Sequence, residues 1–79
     1  MVYNKIDHKE KALKDLNKVL EFSPNSTSAY YNRALIYTDK EDLNKALSDY
    51  EKVILLNPKN ILAYYNRALI YQQQKKMVV

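Results

Sequence analysis

Ala29-Tyr30-Tyr31-Asn32-Arg33-Ala34-Leu35-Ile36-Tyr37 recurs without a change as Ala63-Tyr64-Tyr65-Asn66-Arg67-Ala68-Leu69-Ile70-Tyr71, 34 residues further along the chain. A repeat of that period marks one supersecondary unit used more than once, each copy unable to bury its apolar face alone. Sliding the whole chain of 79 residues by 34 makes 17 of the 45 overlapping pairs identical, so the repeat extends well beyond the nine residues. Lys11/Lys45, Ala12/Ala46, Leu13/Leu47, Lys18/Lys52, Val19/Val53 and Pro24/Pro58 are among these pairs. Tyr3 falls on Tyr37, so the chain is expected to open inside a unit.

Pro24 and Pro58 are the two hard stops. Proline lacks an N–H and biases its predecessor away from helical geometry, so each is expected to follow the end of a helix. Backwards from Pro58, Leu43, Ala46, Leu47, Tyr50, Val53 and Ile54 keep a period near 3.6. Ala12, Leu13, Leu16, Val19 and Leu20 do the same before Pro24. Asp7 with Glu10 offers the first helix an N-terminal cap, and Asp39 with Asp42 offers one before the third. Ser26 and Asn60 are cap candidates for the two helices that carry the repeated nonamer. The pattern predicts helices over 7–22, 26–38, 42–56 and 60–77. Short turns between them make consecutive helices antiparallel. Within the nonamer, Tyr30, Ala34 and Tyr37 share one face, while Tyr31, Leu35 and Thr38 line the next. A helix with two such faces needs two neighbours, or one neighbour and a ligand.

Composition excludes several alternatives. The chain is a single small domain that buries only roughly 60–65% of its unfolded surface. It has no cysteine for a disulfide or thiolate–metal site and no glycine for a phosphate loop. No apolar run reaches membrane-spanning length and no signal peptide opens the sequence, so a soluble protein without a membrane partner is expected. The net charge is +4. Lys11, Lys14 and Lys18 form a stripe on one helix, which reads as a solvated face. A nucleic-acid groove would want more arginine and interleaved aromatics on the same surface, so the stripe argues against that partner. His8 is the only histidine and the acids are scattered. Neither an enzyme, nor a metal site, nor a cofactor is expected.

These residues resemble the tetratricopeptide repeat, whose unit is a 34-residue helical hairpin. Residues 27–60 supply Tyr30, Ala34, Tyr37, Ala46, Tyr50 and Pro58 at the spacings of that pattern. Ala34 and Ala46 are small where the two helices of a hairpin cross closely, and the tyrosines fill the wider gaps. The resemblance implies an all-α fold, a right-handed superhelical stack of antiparallel helix hairpins with about four helices. It divides the single domain 1–79 into a partial repeat over 1–26, a complete one over 27–60 and the first helix of a further one over 61–79. Two positions depart from the family pattern. Arg33 and Arg67 stand where leucine is common, so their stems are expected to pack and their charged heads to reach water. Glu41 stands where the turn often has glycine, so that turn is expected to close without a residue at positive φ.

By the same resemblance, the first helix of each hairpin lines a concave groove that takes peptides. The groove positions are then Tyr31, Asn32, Leu35, Thr38 and, one repeat on, Tyr65, Asn66, Leu69 and Gln72. Tyrosine offers contact area with few rotors to freeze, and asparagine bridges a peptide's N–H and C=O. Tyr30, Tyr37, Tyr64 and Tyr71 are expected to pack helix on helix instead. Family members that grip acidic C-terminal tails carry an Asn-Arg pair like Asn32-Arg33, together with basic residues on either side. Here those flanking places are Tyr31, Leu35, Tyr65 and Leu69, so a C-terminal carboxylate is not the expected ligand. The functional expectation is a protein–protein interaction module whose partner is a peptide or protein segment. The alternative is a self-assembling homo-oligomer. In it the first helix, with only Val2-Tyr3 before it, meets a last helix that runs straight on through Gln72-Gln73-Gln74-Lys75-Lys76 to Met77, Val78 and Val79. The form expected of it is a closed dimer that completes its repeats by helix exchange.

Overall fold

The computed structural model of the chain describes residues 5–77, with side chains over residues 8–75. Four helices follow one another: α1 (Lys5–Phe22), α2 (Thr27–Asp39), α3 (Leu43–Leu56) and α4 (Ile61–Met77). Each packs on the next in the chain, α1 on α2, α2 on α3 and α3 on α4. This is the all-α stack of antiparallel hairpins that the repeat predicts.

The two proline turns are copies of each other. Ser23 N–H donates to Val19 O at 2.7 Å and Ser26 N–H to Ser23 O at 3.1 Å. One repeat later, Asn57 N–H reaches Val53 O at 2.7 Å and Asn60 N–H reaches Asn57 O at 3.1 Å. Proline sits at the second position of each turn, where its fixed φ is already correct. The following residue then caps the next helix as expected. Ser26 Oγ accepts from Ala29 N–H at 3.2 Å, and Asn60 Oδ1 accepts from Ala63 N–H at 3.1 Å. Each cap satisfies a donor that the helix start would leave without a partner.

The turn between α2 and α3 closes differently from expectation. Glu41 stands at φ 61°, in the left-handed region. Its N–H donates to Thr38 O at 3.0 Å, and Asp42 N–H donates to Tyr37 O at 2.8 Å. These two bonds make a Schellman ending, which pairs two terminal carbonyls and requires left-handed backbone at the residue after the cap. The bonds outweigh a steric cost of about 1–2 kcal/mol for a residue with a Cβ. Asp42 is the N-cap of α3 by position, but its side chain makes no cap hydrogen bond. Its carboxylate lies 3.6 Å from Lys45 Nζ instead. Asp7 falls inside α1, which begins at Lys5, and its side chain lies outside the described residues, as do Val2, Tyr3, Val78 and Val79.

The core lies between α2, α3 and α4. Ala34, Leu43, Ala46, Tyr50, Val53, Ala63 and Ile70 are buried together, with Tyr30, Tyr31, Tyr37, Leu47 and Ile54 packed around them. Ala34 and Ala46 are completely buried, as expected of a close helix crossing. Leu13 and Ala29 are buried as well, on α1 and α2. Tyr64 and Tyr71, expected to pack like Tyr30 and Tyr37, are exposed instead. Among the described residues no helix covers them as α3 covers their counterparts. Lys11, Lys14 and Lys18 are exposed.

Candidate interaction groove

Two polar arrangements stand on this frame, a cleft on the α2–α4 side and an arginine junction at the α2–α3 contact. The cleft holds about 420 Å³ and is lined by Leu35, Thr38 and Asp39 of α2, Tyr50 of α3, and Asn66, Leu69, Ile70 and Gln73 of α4. Helical spacing explains the set. Leu35, Thr38 and Asp39 lie three and four apart and so share a face, as do Asn66, Leu69, Ile70 and Gln73. Tyr50, only 1% exposed, belongs to the helix behind. Burial pushes the Tyr50 phenol above its ordinary pKa, partly offset by the neighbouring Thr38 hydroxyl. Thr38 Oγ1 is already committed, donating to Ala34 O at 2.8 Å. Leu35 and Leu69 offer apolar surface at 41% and 43% exposure.

Four of the eight expected groove residues, Leu35, Thr38, Asn66 and Leu69, therefore line one cleft. Tyr31 stands above it with a structural commitment. Its ring meets Tyr50 edge-on at 5.8 Å between centroids, and its hydroxyl accepts from Asn66 Nδ2 at 2.9 Å. Asn66 thus ties α4 to α2. Asn32, Tyr65 and Gln72 are exposed on the same two helices but do not line the cleft. Asp39, Tyr50, Ile70 and Gln73 line it without having been expected in the groove. Asp39 and Gln73 are found by extending the one-turn spacing from Leu35 and Leu69, whereas Tyr50 and Ile70 carry only a core signal.

Arg33 corrects the expectation of a solvated head. Its Nε and Nη2 donate to the two carboxylate oxygens of Asp49, both at 2.8 Å, and its Nη1 donates to Asn17 Oδ1 at 2.8 Å. Asp49 is 4% exposed, so the pair is shielded from water. The guanidinium also lies 5.6 Å from the Tyr30 ring centre and 5.9 Å from that of Tyr37. Hydrogen bonding to the Asp49 carboxylate raises the Arg33 pKa above its ordinary value, against the opposing pull of burial. Two lysines complete the frame. Lys45 Nζ lies 5.6 Å from the Tyr37 ring centre, and Lys52 Nζ 5.9 Å from that of Tyr30. A planar fork on a carboxylate with aromatic faces on either side is a use of arginine that lysine could not replace.

Hairpins stacked by a 34-residue register, with an apolar cleft on one side, define a helical-repeat scaffold. Residues 27–60 and residues 49–77 each match a model of the tetratricopeptide repeat. The chain belongs to the tetratricopeptide repeat family. Repeats of this family generally mediate protein–protein interaction, and proteins built from them are typically non-enzymatic scaffolds. Among curated proteins no sequence matches the chain. Among the described residues no group of three or more His, Cys, Asp and Glu side chains could hold a metal, and no helix is long and apolar enough to cross a membrane.

Proposed function

We propose that the chain is a protein-interaction module that holds an extended peptide segment in the cleft between α2 and α4. The observation that carries this reading is the cleft itself, with Leu35 and Leu69 exposed beside Thr38, Asn66 and Gln73. Apolar walls with a few convergent polar groups are the usual make-up of a binding site. Asn32, Tyr31, Tyr65 and Gln72 extend the contact surface along the two helices. Among the described residues of the lining Asp39 alone is charged, and Lys9 Nζ already lies 3.8 Å from its carboxylate, which suits a segment with mostly apolar side chains. On this reading residues 27–60 form the complete repeat and residues 61–79 bring the second groove helix. The test is selection from a displayed library of random peptides, followed by titration of a selected peptide by fluorescence anisotropy. Leu35→Arg and Leu69→Arg should each abolish binding while circular dichroism stays unchanged. Selected peptides that bind both variants as well as the parent chain would refute the cleft as the site.

A second reading, self-assembly through α1 and α4, is favoured by a separate observation. Tyr64, Ala68 and Tyr71 are exposed on α4, whereas Ala34 at the equivalent place on α2 is completely buried. An aromatic face so displayed marks a contact surface.

A further inference from the structure

We propose that the outer face of α4 docks onto α1 of a second copy, reproducing the α2–α3 contact at five equivalent positions, with Arg67 forked onto Asp15 of the next chain. This inference rests on the self-assembly reading and specifies its surfaces and register.

The argument starts from what α3 gives α2. Besides Tyr50, which meets the Tyr31 ring and has Leu16 as its counterpart on α1, five positions of α3 make that contact: Lys45 against the Tyr37 ring, Ala46 at the crossing, Asp49 under Arg33, Lys52 against the Tyr30 ring, and Val53 in the core. One repeat earlier, α1 carries Lys11, Ala12, Asp15, Lys18 and Val19, the same five residue types at the same spacing. On the other side, α2 offers Tyr30, Arg33, Ala34 and Tyr37, and α4 offers Tyr64, Arg67, Ala68 and Tyr71. Both halves of the contact therefore exist twice in one chain, and only one pair is used within it.

Most of the second pair is exposed, with Ala12 and Arg67 half-buried. Val53 is fully buried whereas Val19 is 43% exposed, and Asp15 is exposed where Asp49 is not. Arg67 already holds the arrangement of Arg33, its guanidinium 5.4 Å from the Tyr64 ring centre. Charge complementarity selects the occupant. The docking α1 would bring Asp15 to Arg67, Lys11 to the Tyr71 ring and Lys18 to the Tyr64 ring. Lys11 then gains an aromatic partner, and Lys18, which lies 5.9 Å from the Phe22 ring centre of its own helix, gains a second.

Helix lengths agree with a contact between separate chains. In α2 the hairpin must turn after Asp39, which corresponds to Gln73, yet α4 continues to Met77. Likewise α3 starts at Leu43, which corresponds to Lys9, yet α1 starts at Lys5. Both extensions lie at the end where a covalent turn would stand. In an antiparallel α4–α1 pair they run alongside each other and lengthen the contact by about one helical turn. The contact is heterologous, so copies add head to tail.

Sedimentation velocity of the 79-residue chain over a wide concentration range reads the outcome. The parent chain should associate. Asp15→Arg and Arg67→Asp should each weaken association on the order of a hundredfold, because each places like charges at the junction. Circular dichroism should be unchanged, since neither position lies in the buried core. An equimolar mixture of the two variants should associate again, because every joint between unlike copies pairs opposite charges. A parent chain that stays monomeric overturns both the self-assembly reading and this site. Association that both variants retain, or a mixture that fails to recover it, overturns the Arg67–Asp15 register alone.

Discussion

The nine residues shared by α2 and α4 end in different surroundings. In α2 the Tyr30, Ala34 and Tyr37 face lies under α3, and Ala34 is wholly buried. In α4 the same face stays open, leaving Tyr71 49% exposed. The face one step round behaves the opposite way. Ile70 is buried against α3 and the cleft, while Ile36 is only half-buried. A helix sequence thus decides which residues share a face, and the neighbouring helix decides whether that face is worth anything. Most helical stability in proteins comes from such packing and not from propensity.

Paired substitutions at equivalent positions can break or sharpen this contrast. The largest difference is expected at the second tyrosine of the face. Tyr37→Ala should cost about 3 kcal/mol, the low end for a truncated packed aromatic, whereas Tyr71→Ala should cost less than about 1 kcal/mol. Urea midpoints measured where the chain is monomeric give both values, and equal costs would mean that α4 is covered after all. The aspartates come next. Asp49→Ala strands the shielded Arg33 charge and should cost about 2–3 kcal/mol, while Asp15→Ala under the same conditions should stay within about 0.5 kcal/mol. If the two aspartates proved equivalent, the Arg33 fork would contribute nothing to the fold. The smallest pair differs in sign. Glu41→Gly relieves a left-handed residue and should stabilise by up to about 1 kcal/mol. Lys75→Gly, at the equivalent place inside α4, should destabilise by about the same amount. Thermal melts of the two variants should move in opposite directions.

Helix positions and both proline-turn caps were legible in the sequence because each rests on local chemistry. Proline ends a helix wherever it falls, and Ser26 and Asn60 cap from the adjacent residue. Half of the cleft was legible too, since Leu35, Thr38, Asn66 and Leu69 follow from helical spacing combined with the repeat. Arg33 was not. Its partners Asn17 and Asp49 each lie 16 residues away, and a pattern of apolar periods treats arginine as a surface residue. Glu41 failed for a different reason. Avoidance of left-handed backbone is a preference of about 1–2 kcal/mol, and two carbonyl hydrogen bonds at the end of α2 were enough to reverse it. The unequal burial of the two nonamers could not be read from the nonamers themselves, because they are identical.

Arg33 has one more consequence, for the order in which the molecule comes apart. It belongs to α2, and its donors end on Asn17 of α1 and Asp49 of α3, so α3 cannot leave without stranding a charge. Among the described residues, the polar ties of α4 to the rest run between neutral amides and a phenol, Asn66 to Tyr31 and Gln74 to Asn44. Water replaces such bonds at little cost. Local opening should therefore begin at α4, with α2 and α3 exchanging their amide hydrogens as one unit through rarer events. Since α4 is also one wall of the cleft, a peptide lodged there would act against that opening. Its presence would register first as slowed amide exchange along α4.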